Sequence, residues 1–280
     1  MLPSSLQFQV LGPLRVFRSS ELCTPSALKQ RALLALLLLK ANELLPANRL
    51  IDELWDFNPP VCAVAALQMY VSGVRRAITP HGGGSRRESR RHPVLQTQPS
   101  GYLITAGPGE LDLIQFRSLG LQGRMRLAEG RCQESGELFR QALSLWRGDA
   151  LADLSGVTAL RHQAAHLEEE RLALLQARIG VDLCQGQSLE TVGELEEICF
   201  RHPLREDFQQ QLMLALYLSG RRADALAAYR RLYQIMTDEL GIEPGPGMRR
   251  MQQAVIRGSE PGMGLHDCHQ RPGQRWRDPA

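Results

Sequence analysis

Gln68, Ser72, Arg75, Arg76 and Thr79 fall at helical spacing along one polar flank, and Arg86, Arg87, Arg90 and Arg91 follow within the run 81–92. Guanidinium groups in a Gly- and Ser-containing loop suit phosphate oxygens. A polar helix flank offers groups that hydrogen-bond base edges or backbone. Other clusters carry less chemistry. His162 and His166 stand one helical turn apart, followed by Glu168, Glu169 and Glu170, but the order is not H-E-x-x-H and a solvated helix surface accounts for it. His266, Cys268 and His269 lack a fourth ligand, and the six cysteines form no CxxC pair, so no metal site and no cofactor is expected. Incidental thiols in a reducing cytoplasm are the expectation. With no G-x-S-x-G, phosphate loop or dinucleotide fingerprint, the chain offers no residues for catalysis and reads as a non-enzyme.

A helix over about 62–79 must position the polar flank. Val64, Leu67, Val71, Val74 and Ile78 form its inner stripe, and Cys62, Ala65, Ala66, Met69 and Gly73 share the outward surface with the polar residues. Upstream, alternation over 6–12 and 14–17 around a Gly-Pro break predicts two strands. Thr24-Pro25 predicts the N-cap of a buried helix reaching Leu39, and a second helix after Pro46 carries Leu50, Ile51, Leu54 and Trp55 on one face until Asn58-Pro59-Pro60. Segments 94–98 and 102–105 flank Pro99-Ser100-Gly101 as a hairpin. This order predicts a winged helix-turn-helix, with the third helix in the major groove and the hairpin and arginine loop on phosphates. The same order also fits a small α+β domain whose arginines form a solvated loop.

Residues 1–110 carry 12 basic and 7 acidic side chains against 21 and 23 over 111–280, so the front of the chain suits an anionic partner although the formal charge is only +3. The apolar run 32–39 is closed by Lys40 and is far short of the roughly 20 residues needed to cross a bilayer. No membrane partner and a cytoplasmic location are expected. Beyond Gly109 only helices are expected, over 111–128, 132–146, 157–185, 189–199, 204–218 and 222–240. Ser135-x3-Phe139-x2-Ala142 is echoed by Ala225-x3-Tyr229-x2-Leu232, which suggests tetratricopeptide-like helix pairs. The expected architecture is therefore an α+β winged helix-turn-helix domain over 1–108, an all-α tetratricopeptide-like domain over 109–258, and a disordered tail over 259–280.

Several ordered blocks make the chain resemble a known family: Lys29-Gln30-Arg31-Ala32-Leu33-Leu34, Arg49-Leu50-Ile51-Asp52-Glu53-Leu54-Trp55, Leu67-Gln68-Met69-Tyr70-Val71-Ser72, Pro99-Ser100-Gly101-Tyr102, Leu145-Trp146-Arg147-Gly148, His202-Pro203-Leu204-Arg205-Glu206 and Glu239-Leu240-Gly241-Ile242-Glu243-Pro244-Gly245-Pro246. Together they resemble the small, two-domain form of the Streptomyces antibiotic regulatory protein family, an OmpR-type winged helix followed by a bacterial transcriptional activation domain. The resemblance implies an activator of a secondary-metabolite gene cluster. It would bind direct repeats in double-stranded DNA as two protomers side by side and help recruit RNA polymerase holoenzyme. Tyr102, in the hairpin, is a further expected DNA contact, and the resemblance implies polymerase contacts through the loop 56–61 and the helical domain.

The third helix departs from the family pattern at Ala65, Ala66 and Gly73, where polar contacts are common. Alanine cannot hydrogen-bond a base edge, although it can pack on a thymine methyl. Arg86, Arg87, Arg90 and Arg91 are then expected to replace lost contacts by phosphate binding. A rival reading follows from the same departures: a protein-interaction regulator with a degenerate DNA-binding helix, acting through its tetratricopeptide-like domain.

Overall fold

A computed structural model describes residues 6–79 and 94–259. Arg86, Arg87, Arg90, Arg91, the His266, Cys268 and His269 cluster and the expected tail lie outside the described residues, except for Ser259. The chain is mostly helical, with two small sheets near the N-terminus and ten α-helices among the described residues. It divides into two compact units. One comprises residues up to Leu119 together with Gln141–Leu172, the other Gly120–Arg140 together with residues from Ala173 onward.

In the first unit, β1 (Leu6–Gln9), β2 (Arg15–Arg18) and β3 (Glu21–Leu22) form an antiparallel sheet in which Phe8 faces Val16 and both are buried. The helix α1 (Leu28–Leu39) buries every residue from Ala32 to Leu39, so it sits at the centre of the core with no polar face along that stretch. Its start differs from the expected cap at Thr24. The Thr24 hydroxyl accepts the Val16 N–H at 2.9 Å instead, and the helix begins after Ala27 with no side-chain cap. The helix α2 (Ala47–Trp55) buries Leu50, Ile51 and Leu54 and stops where Asp56 and Phe57 turn left-handed, two residues ahead of Pro59. The helix α3 (Ala63–Ile78) follows.

A second antiparallel sheet runs in the order β4 (Leu44–Pro46), β6 (Gly101–Ile104), β5 (Leu95–Gln98). The hairpin was legible, and β4 was not. Three residues ending in proline give no alternation to read, yet Leu45 is buried and pairs with Tyr102. Gly101 pairs with Pro46, and a Cβ there would collide with the Leu45 carbonyl, so this position requires glycine.

Residues beyond 109 complete this unit. The helix α4 (Asp112–Ala128) places the Asp112 carboxylate on the backbone N–H groups of Val10 and Leu11, at 2.9 and 3.0 Å. Arg147 lies 3.4 Å from the same carboxylate and donates its own backbone N–H to the Leu11 carbonyl at 2.9 Å. Leu151 N–H reaches the Gly12 carbonyl, and the Leu14 N–H reaches Asp153 at 2.8 Å, while Asp153 also pairs with Arg31 of α1. The turn between β1 and β2 thus has its backbone polar groups satisfied by Asp112, Arg147, Leu151 and Asp153. Phe116 and Trp146 close the cluster edge-to-face, with centroids 5.5 Å apart.

Burial raises the Asp112 pKa, outweighing the Val10 and Leu11 N–H groups and Arg147, which pull it down. A folded value above the unfolded one means the folded chain binds the proton more tightly. Between those two values stability therefore falls as pH rises. The margin of the wild type over Asp112→Asn is expected to widen between pH 7 and pH 4 in urea titrations; a shrinking margin would show that the ionised form is the one favoured.

In the second unit, α5 (Cys132–Leu143) approaches α4 where the Gly123 carbonyl accepts the buried Ser135 hydroxyl at 2.8 Å and the Phe139 ring lies where a Gly123 Cβ would be. A short 3-10 turn, Ala152–Leu154, precedes the long α6 (Thr158–Cys184) in the chain. Asp182 is buried in the second unit and accepts from Arg140 at 2.6 Å and Arg178 at 2.8 Å. The helices α7 (Ser188–Arg201), α8 (Glu206–Leu218) and α9 (Arg222–Leu240) pack in succession, and α10 (Pro246–Arg257) lies against α8 and α9. Ser135, Phe139, Ala142, Ala225, Tyr229 and Leu232, the echoed positions of the sequence, are all buried. Spacing alone predicts no separate helix at α10. Its start, Gly245-Pro246-Gly247, reads as a breaker, but proline is at home in a first helical turn and Glu206 accepts the Gly245 N–H.

Candidate nucleic-acid interface

The helix α3 is fixed from behind by Ala63, Leu67, Val71, Val74 and Ile78. Val64, assigned to this stripe by spacing, is 59% exposed, because Ala63 takes the buried position at the helix start. The opposite face carries Ala65, Gln68, Met69, Ser72 and Arg76, all exposed. The Ser72 hydroxyl donates to the Gln68 carbonyl at 2.9 Å, which spends its proton on the helix and leaves its lone pairs outward. Gly73 is half-buried. A Cβ there would overlap the Gln30 carboxamide of α1, so this glycine marks a close helix approach as well as the loss of a polar group.

Arg75 and Tyr102 are displaced from the expected contact surface. Arg75 is only 8% exposed. Its Nε donates to the Leu95 carbonyl at 3.0 Å and a terminal nitrogen donates to the Thr97 hydroxyl at 2.7 Å, both on β5. At the border between the inner stripe and the outer face, its long side chain reaches the hairpin and ties it to α3. Burial lowers the Arg75 pKa from the usual guanidinium value and raises that of the Tyr102 phenol. Tyr102, 7% exposed, belongs to the core. Thr79 closes the helix, donating its hydroxyl to the Arg75 carbonyl while its own carbonyl accepts from Arg18. Of the expected contacts on the helix, Gln68, Ser72 and Arg76 therefore face outward together.

The loop preceding α3 adds exposed apolar groups beside those of the helix. Phe57 is 79% exposed and Val61 is fully exposed, while Met69 on the helix is 60% exposed. Behind the loop, Trp55 stacks on Tyr70 with centroids 6.0 Å apart, and Lys29 sits over the Trp55 ring.

The helix α6 carries His162 and His166. His166 faces Glu170, whose carboxylate also accepts two hydrogen bonds from Arg117, at 2.7 and 2.9 Å. Cys199 is buried and its thiol is pushed up to about 12, chiefly by desolvation, which suits a packing role better than reactivity. Among the described residues no helix is long and apolar enough to cross a membrane.

Residues 111–256 match the family described as the bacterial transcriptional activator domain. The regulatory protein DnrI of Streptomyces peucetius is 38% identical over 258 residues, covering 92% of this chain and 94% of its own. The regulatory protein AfsR of Streptomyces coelicolor is 39% identical over 90% of this chain, which spans only 24% of AfsR. A solved structure of Mycobacterium tuberculosis EmbR in complex with a low-affinity phosphopeptide superposes with a TM-score of 0.84 at 33% identity, over 91% of this chain and 66% of that one. The chain belongs to the Streptomyces antibiotic regulatory protein family of transcriptional regulators. Its relatives are named as regulators, not as enzymes.

Proposed function

We propose that this protein is a DNA-binding transcriptional activator whose first unit works as a winged helix-turn-helix. The observation that carries the reading is the face of α3: Gln68, Ser72 and Arg76 are exposed on a helix anchored by its opposite stripe, with the β5–β6 hairpin tied beside it by Arg75. In this arrangement α3 enters the major groove and the hairpin lies along the adjacent backbone. The excess positive charge of residues 1–110 supports it. By analogy with the family, two protomers sit on direct repeats near the promoter of a secondary-metabolite cluster. The exposed loop 56–61 and the helical repeats, read as tetratricopeptide-like, are then available to RNA polymerase.

The test is binding of the full chain to its neighbouring promoter DNA against competitor DNA at several salt concentrations. Retention lost when one repeat is scrambled supports the activator. Sequence-blind binding would favour an interaction protein, a reading to which the exposed Phe200 and Leu189 of α7 lend support. The arginine loop gives a separate prediction. Replacing Arg86, Arg87, Arg90 and Arg91 together by alanine is expected to flatten the plot of log affinity against log salt by up to about 3 to 4, near 0.9 per phosphate contact. An unchanged slope would remove the loop from the interface.

A further inference from the structure

The groups that α3 presents are chemically selective. Its outward centre is Ala65, Gln68 and Ser72, flanked by Val64 on one side and Met69 on the other. Three of these five are apolar. In the major groove the largest apolar feature of a base edge is the thymine C5-methyl, which a G·C pair lacks, so Val64, Ala65 and Met69 pack best on an A·T pair. Gln68 stands among them with an exposed carboxamide, the side chain that pairs in bidentate fashion with adenine N6 and N7. Of the two guanidinium forks on α3 that could read guanine, Arg75 is consumed by Leu95 and Thr97 of the hairpin. Arg76 lies in the last turn, while base edges are met by the N-terminal part of such a helix, which leaves Arg76 to a phosphate.

We infer that α3 reads an A·T core in each half-site, with Gln68 on adenine and Val64, Ala65 and Met69 packed on thymine methyls. The inference rests on the DNA-binding reading above and adds to it the base pairs that the helix selects. It also assigns a role to positions that otherwise look like lost contacts. Alanine at 65 removes a hydrogen bond and supplies a methyl surface.

The experiment is selection of the full-length protein on a randomised duplex library, followed by affinity measurements on the selected site with single thymines replaced by deoxyuridine. That replacement deletes the methyl and keeps every hydrogen bond. An A·T core is expected, with about a fourfold loss of affinity for each contacted methyl removed. Gln68→Ala, an exposed change, is expected to lose about tenfold discrimination at one adenine and to leave the methyl effect in place. A selected motif with a G·C core, or an A·T core indifferent to deoxyuridine, would overturn the methyl readout while leaving specific DNA binding intact. No enriched motif at all would overturn the DNA-binding reading, and this inference with it.

Discussion

Asp112→Ala is expected to cost about 3 to 5 kcal/mol of stability, the range for breaking a buried charged partnership. The Asp112 carboxylate is 8% exposed and accepts the N–H groups of Val10 and Leu11, and Arg147 lies against it. Removing it leaves two buried donors without their acceptor and takes one partner from Arg147, whose guanidinium keeps the Pro13 carbonyl, and each unsatisfied buried group costs roughly 1 to 3 kcal/mol. Urea denaturation of the full chain measures the loss. Because Asp112 and Val10 lie in one compact unit, the variant should release β1. Hydrogen exchange in residues 6–18 should then rise with the loss of stability. A cost below about 1 kcal/mol would show that water replaces the carboxylate and that the turn is not held from this side. Asp153→Ala, which frees Leu14 and Arg31, should repeat the effect at smaller size, since Asp153 is the more exposed of the two acids.

These contacts also show where sequence reasoning stops. Periodicity located α2, α3 and the hairpin, because their apolar residues recur at steps fixed by the helix and the pleat, and α1 was legible as an unbroken apolar run. It drew a boundary at 108, since strands give way to helices there. Yet Asp112, Arg147 and Asp153 serve the β1–β2 turn over a hundred residues away. Nothing local marks an acid that will accept backbone N–H groups from a distant turn, although a lone Asp between Leu111 and Leu113 was a hint. The same limit explains Arg75. Spacing places it near the outer face of α3, and only the position of β5 shows that its side chain folds inward. Gln68, Ser72 and Arg76 were legible because exposure on a helix follows from periodicity alone.

Arg75→Met is expected to lower DNA affinity about tenfold or more while leaving the order of preferred bases unchanged. Methionine keeps much of the aliphatic stem and deletes the donors to the Leu95 carbonyl and the Thr97 hydroxyl. The hairpin then loses its tie to α3, and a carbonyl beside the buried Leu95 side chain loses a charge-assisted partner, worth roughly 1.5 to 3 kcal/mol. If Arg75 acts by positioning, the selected motif stays the same, affinity falls at every site in proportion, and hydrogen exchange rises in β5. A base-reading arginine would behave differently: its loss would relax preference at one guanine and leave the hairpin protected. Arg75→Lys sharpens the distinction. A single ammonium cannot reproduce the two diverging donors, so lysine should recover little of the affinity, whereas a phosphate contact would tolerate it.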